Sequence, residues 1–159
     1  NRPYSSPCGR AELDPDYARV LPAEDILALL GELLKAERAG ARGVTELCVP
    51  LAARGDALTL RLLARDEGRY VTMLRRQVLR LGGTPSEEVG AFYEKLAALE
   101  TLKERLDLLI RGQAWVVRQL RRALPGITDD ELRGELEDML RVHETNIALS
   151  ARLVASPAG

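Results

Sequence analysis

Leu132-Arg133-Gly134-Glu135-Leu136-Glu137-Asp138-Met139-Leu140-Arg141-Val142-His143-Glu144-Thr145-Asn146-Ile147 is the stretch that decides the fold. Leu132, Leu136, Met139, His143 and Ile147 recur every three or four residues, and Val154 extends the series. That spacing is one stripe of an amphipathic helix. Thr128-Asp129-Asp130-Glu131 just ahead reads as a capping box that opens it. His143, the only histidine of the chain, stands where the stripe asks for leucine.

Three more helices follow from the same reasoning. Ile26, Leu29, Leu30, Leu33, Glu37, Gly40 and Val44 give a helix over about 23–47, with Pro22 suited to its first turn and Pro50 marking its stop. Leu60, Leu63, Glu67, Tyr70, Leu74, Val78 and Leu81 give one over 56–81, ended by Gly82-Gly83. Leu99, Leu102, Leu106, Leu109, Gln113, Val116, Leu120 and Leu124 give a third, stopped by Pro125-Gly126. Thr84-Pro85-Ser86-Glu87 reads as another capping box, so a helical segment is expected to restart at 85 and to break or bend near Gly90. Four amphipathic helices, each about 25 residues and roughly 37 Å long, make an all-α four-helix bundle over 22–155. Residues 1–21 hold Pro3, Pro7 and Pro15 and read as an extended arm. Tyr4, Leu13 and Tyr17 suit an arm that docks on the bundle or clasps a homodimer or protein partner.

The composition agrees. The chain has 159 residues, 46% hydrophobic and 30% charged, with only 4% aromatic. Leu, Ala and Val must therefore fill one core, which favours helix-on-helix packing. A net charge of -1 points to no nucleic acid. No run approaches the roughly 18 apolar residues of a membrane span, and no signal peptide is evident. Cys8 and Cys48 make no disulfide framework, so a reduced, cytoplasmic setting is expected. Arg61, Arg65, Arg69, Arg76 and Arg80 form a basic stripe on the second helix, read first as a solvated, ion-paired face and second as a docking face. Trp115 reads as a packing or interface anchor.

Sliding the chain by 76 residues lays Leu30 on Leu106, Leu33 on Leu109, Glu37 on Gln113, Leu60 on Leu136, Glu67 on His143 and Tyr70 on Asn146. One offset serves both helix pairs, so two similar hairpins are expected. Glu37, Glu67, Gln113 and His143 then share one level of the core, and the stretch after 83 crosses the length of the bundle. In the rival topology, a plain up-down bundle with a very long third helix, Glu100 or Glu104 would lie level with Glu67 instead.

Two helical hairpins, a long connection and inward carboxylates resemble the ferritin-like superfamily over about 23–155. Ala36-Glu37-Arg38-Ala39-Gly40-Ala41, Arg65-Asp66-Glu67, Gly90-Ala91-Phe92-Tyr93-Glu94-Lys95, Arg111-Gly112-Gln113 and Asp138-Met139-Leu140 also resemble an uncharacterised bacterial group within it. The resemblance implies a ferritin-like bundle with a long crossover between its second and third helices. Di-iron members place a Glu on two helices and Glu-x-x-His on the other two. Here Glu37 and Glu67 match two carboxylates. Tyr70 stands where His is needed, and Gln113 where Glu is needed. On the last helix His143 and Asn146 stand at the Glu and His positions. In another register His143 is the histidine and Leu140 replaces its Glu.

Two readings of this depleted site follow. Glu37, Glu67 and His143, with Gln113 or water, could hold one Fe, Mn or Zn ion, with Tyr70, Asn146 and Glu144 around them. Alternatively the same residues form a buried hydrogen-bond and ion-pair network and bind no metal. Two irons would need further carboxylates such as Glu144 or Glu104. The expected function is a ferritin-like protein with one metal ion or none and no robust oxidase activity. The alternatives are an interaction or scaffold protein using the arm and Arg face, and a di-iron oxidoreductase with unusual ligands.

Overall fold

The computed structural model describes residues 19–155. Its elements are α1 (Ala23–Gly43), α2 (Arg54–Arg80), the short α3 (Phe92–Ala97), α4 (Leu102–Ala123) and α5 (Asp130–Ala155). α1 runs on through a π-turn, Val44–Cys48, and a 3-10 turn, Val49–Leu51, that contains Pro50. α1 packs along α2, and α4 along α5, as two antiparallel hairpins. The hairpins meet through α1 against α4 and α2 against α5. α1 and α5 therefore face each other across one diagonal of the bundle, and α2 and α4 across the other.

The ends of α2, α4 and α5 follow from local chemistry. Gly82 takes φ +83, the left-handed conformation that glycine adopts without strain. Its N–H donates to Leu79 O at 3.1 Å and Gly83 N–H donates to Val78 O at 2.9 Å, the paired bonds of a Schellman stop. Asp129 Oδ1 accepts from Leu132 N at 2.9 Å, so Asp129 rather than Thr128 caps α5.

The crossover differs from the expectation. Thr84-Pro85-Ser86-Glu87 opens no helix; Ser86 Oγ instead accepts from Glu88 N at 3.0 Å, a local turn. Arg38 reaches the Ser86 carbonyl and Arg75 reaches Glu87, which pins this strand-like stretch to α1 and α2. The capping box that does form is Thr101 with Glu104, at the start of α4. Leu99 consequently lies outside α4, and the very long third helix of the rival topology is excluded. Gly43 and Gly112 seat α3: an added Cβ would lie 2.6 Å from the Leu96 side chain and 2.8 Å from the Phe92 ring respectively.

Most of the arm, residues 1–18, lies outside the described residues. The chain enters at Leu21, whose N–H donates to Gly126 O at 2.9 Å, beside the α4–α5 turn. No helix among the described residues is long and apolar enough to cross a membrane.

The core is divided. Leu30, Leu33, Leu34, Leu74, Leu120, Leu136 and Met139 belong to one apolar cluster. Val44, Cys48, Leu60, Leu63, Leu106 and Leu109 form a second. Along every long helix the residues between the two clusters are polar: Glu37, Glu67, Gln113 and His143.

Candidate functional site

Each long helix contributes one polar side chain to this layer, and each is at most 3% exposed. His143 Nε2 lies 2.7 Å from Glu37 Oε1, which joins α5 to α1. Gln113 Nε2 donates to Glu67 Oε1 at 3.2 Å, which joins α4 to α2. Both bonds span diagonals, so the two pairs cross at the bundle axis. The 76-residue offset predicted this level.

His143 is held from both sides. Its Nδ1 lies 2.9 Å from Met139 O, one turn back on α5. A carbonyl only accepts, so Nδ1 carries a proton. Nε2 faces a carboxylate oxygen, so a second proton lies between those atoms. Burial works against a charged imidazole, but the Glu37 charge and hydrogen bond, with the Met139 carbonyl, overcome it and hold the pKa at about 9. His143 is an imidazolium at neutral pH. Glu67 behaves oppositely: burial first, then the Glu37 charge, push its carboxyl up to about 8, against the Gln113 hydrogen bond and the His143 charge. It is largely protonated at neutral pH. The layer thus holds one ion pair and one neutral acid, with little net charge.

Gly40 makes room for that acid. A Cβ there would lie 2.2 Å from Glu67 Oε2 and 2.8 Å from its Cδ. The carboxyl group rests on the α1 backbone one turn beyond Glu37. The sequence pattern marks Gly40 only as a stripe position; its role needs the neighbouring helix to be in place.

The surrounding polar residues go elsewhere. Tyr70 packs its ring beside His143, with centroids 5.6 Å apart, but its hydroxyl donates to Asp138 Oδ2 at 2.9 Å. Asn146 Nδ2 donates to Asp66 Oδ2 at 3.2 Å. Glu144 pairs with Arg121 at 2.5 Å in solvent. Glu104 is spent on the Thr101 cap. Tyr70 therefore touches the core site through its ring, while Asn146 and Glu144 make their hydrogen bond and ion pair outside the layer. Tyr70 and Asn146 are nonetheless buried, whereas Glu144 stands in solvent.

A cavity of about 530 Å³ opens between α1, α3 and α4 and reaches Glu37, Glu67, Gln113 and His143. Trp115 lines it while also packing against the first apolar cluster. Four buried side-chain atoms among the described residues lack a hydrogen-bond partner, and three belong to this floor: Glu37 Oε2, Glu67 Oε2 and Gln113 Oε1. On the Arg stripe, Arg69, Arg76 and Arg80 pair with Asp138, Glu135 and Asp129 of α5 or its cap. Those three belong to a solvated, ion-paired face.

A ferritin-like bundle is the class that this architecture defines. The structure is similar to the crystal structure of ferritin-like, diiron-carboxylate proteins from Bacillus anthracis str. Ames, with a TM-score of 0.74. Sequence identity is 17%, and the match covers 83% of this chain and 96% of that one. Residues 24–152 match the model of the family described as domain of unknown function DUF6306, and the chain belongs to that family. No curated protein matches.

The residues present do not fit a pair of irons. Such a centre takes about four carboxylates and two histidines, whereas this layer offers two carboxylates and one histidine. No group of three or more His, Cys, Asp and Glu is arranged to hold a metal ion among the described residues.

Proposed function

We propose that this chain is a ferritin-like binding protein whose core carries an imidazolium–carboxylate network in place of a dinuclear centre. The single observation behind this reading is that both nitrogens of the only histidine face oxygen acceptors, at 2.7 and 2.9 Å. A metal ligand must present a nitrogen lone pair, and here a proton occupies it. Oxygen activation at paired irons is not the chemistry of this donor set. Its chemistry is recognition: a polar floor at the end of an open cavity. A free, buried Cys48 is consistent with a reducing, cytoplasmic setting.

Metal analysis of protein purified without a tag tests this. The expected result is no stoichiometric metal, even after anaerobic loading with Fe(II), Mn(II) or Zn(II), and no ferrous-dependent oxygen consumption. One equivalent of metal that disappears in both His143→Ala and Glu37→Gln would overturn the reading.

A second reading has its own support. The unpartnered oxygens of Glu37, Glu67 and Gln113 lie in one layer, and the Met139 carbonyl holds the His143 ring from behind, as backbone carbonyls do for metal-binding histidines. A single divalent ion would take those oxygens and a deprotonated Nε2. The same loading experiment decides between the two.

A further inference from the structure

The cavity has a graded lining. Its mouth carries Lys35, Lys95, Arg111 and Arg118 against one acid, Glu32. Lys35 is paired with Glu32 and Glu88. The Lys95, Arg111 and Arg118 side chains are exposed and form no ion pair or hydrogen bond among the described residues. Three unpaired cationic side chains therefore gather at this opening. Arg111 and Arg118 are two turns apart on α4 and flank Gln113. Further in, the wall is apolar, with Phe92, Leu109, Trp115 and Val116. The floor then presents three buried polar atoms without partners, on Glu37, Glu67 and Gln113. An unpaired buried polar atom is costly, and a ligand that reaches it recovers that cost.

We infer that this cavity binds a small amphipathic anion: its acidic head at the Lys95–Arg111–Arg118 mouth, an apolar body along Leu109 and Val116, and a hydroxyl at the Glu67–Gln113 floor. Each part of the ligand follows from a part of the lining. Guanidinium forks suit an oxyanion. The middle offers a polar chain no side-chain hydrogen-bonding partner but the Trp115 indole N–H. At the floor a hydroxyl can donate a hydrogen bond to Gln113 Oε1 or to an unpartnered carboxyl oxygen of Glu67. The volume lies within the roughly 300–1,000 Å³ of small-molecule sites. This inference rests on the metal-free reading of the floor.

The test uses the full chain as purified and three probes: 8-hydroxyoctanoate, octanoate and the neutral octane-1,8-diol. Calorimetry reads affinity. Fluorescence of Trp115, the only tryptophan, reports whether a probe enters the cavity. The hydroxy acid is expected to bind one per chain and to change Trp115 emission, with octanoate and the diol each about tenfold weaker. Arg111→Gln with Arg118→Gln is expected to erase the preference for acid over diol while thermal unfolding stays unchanged. Four results each overturn the inference: no saturable binding up to the probes' monomeric solubility, binding without a Trp115 response, equal affinity for acid and diol or for octanoate and its hydroxy form, or an unchanged preference in the double variant. Metal content measured on the same sample keeps the two readings apart. Stoichiometric metal overturns the proposed function and this inference with it, whereas absent probe binding to metal-free protein overturns this inference alone.

Discussion

Replacing His143 with leucine should destabilise the bundle more than replacing both His143 and Glu37. His143 is 1% exposed and Glu37 2%, so each relies on the other for its counter-charge. Removing the imidazolium leaves a buried carboxylate whose Oε2 already lacks a partner. Breaking a buried pair in this way costs about 3–5 kcal/mol. For a chain of this length that is a fall in Tm of roughly 6–20 °C. Glu37→Leu should cost a similar amount, since it strands the imidazolium. The double variant Glu37→Leu/His143→Leu removes both charges and restores the leucine stripe. Such replacements are neutral to stabilising by about 1–4 kcal/mol. Equilibrium urea unfolding at pH 7, followed by helical circular dichroism, measures all four corners of the cycle. Glu37→Gln keeps the carboxylate's shape without its charge and serves if a leucine variant fails to fold. Single losses under about 1 kcal/mol, or a double variant as damaged as the two singles together, would refute a buried ion pair.

Stability should fall as pH rises. His143 titrates at about 9 in the fold against 6.5 outside it, so its contribution is complete below 6.5 and lost through 9. Glu67 titrates at about 8 against 4.5, so the unfolded chain gives up that proton first and the fold loses ground between 4.5 and 8. Both groups act in the same direction between 6.5 and 8, where urea midpoints should drop most steeply; a flat or rising profile there would contradict the assignment. Gly40→Ala should destabilise by about 1–2 kcal/mol, because its Cβ strikes the Glu67 carboxyl, whereas Gly31→Ala, with nothing within 4 Å, should stabilise α1 by up to about 1 kcal/mol in thermal melts. Cys48 is fully buried and its thiol is pushed up to about 11 by burial, so in a Cys8→Ser background a thiol reagent should label it only on unfolding; rapid labelling of the native protein would count against the packed second cluster.

Much of this bundle was legible before any coordinates. The apolar stripes, Pro125-Gly126 and Gly82-Gly83 placed the four long helices within a few residues, because periodicity and helix stops are local. The internal offset placed Glu37, Glu67, Gln113 and His143 at one level. The crossover was less legible. Thr84-Pro85-Ser86-Glu87 and Thr101-Leu102-Lys103-Glu104 both satisfy a capping pattern. Only the latter is followed by a stripe that can be buried, and packing of Phe92 and Leu96 onto Gly112 and Gly43 selects it. The hydrogen-bond partners of Tyr70, Asn146 and Glu144 were not legible for a related reason. Spacing along a helix says which residues share a face, but not which partner a long side chain finds across a helix boundary.

His143 on a leucine stripe was visible in the sequence alone, and so was the small number of groups available to answer it. The sequence therefore determined that this core holds two carboxylates and one imidazole, too few for the metal centre of its fold class. Which of them touch was decided only by the tertiary structure. The diagonal pairing of α1 with α5 and of α2 with α4 gave the imidazole to Glu37 and the amide to Glu67. Hydrogen bonds depend on distances of about 3 Å, and those distances are set by the packing of two hairpins rather than by the spacing within either one.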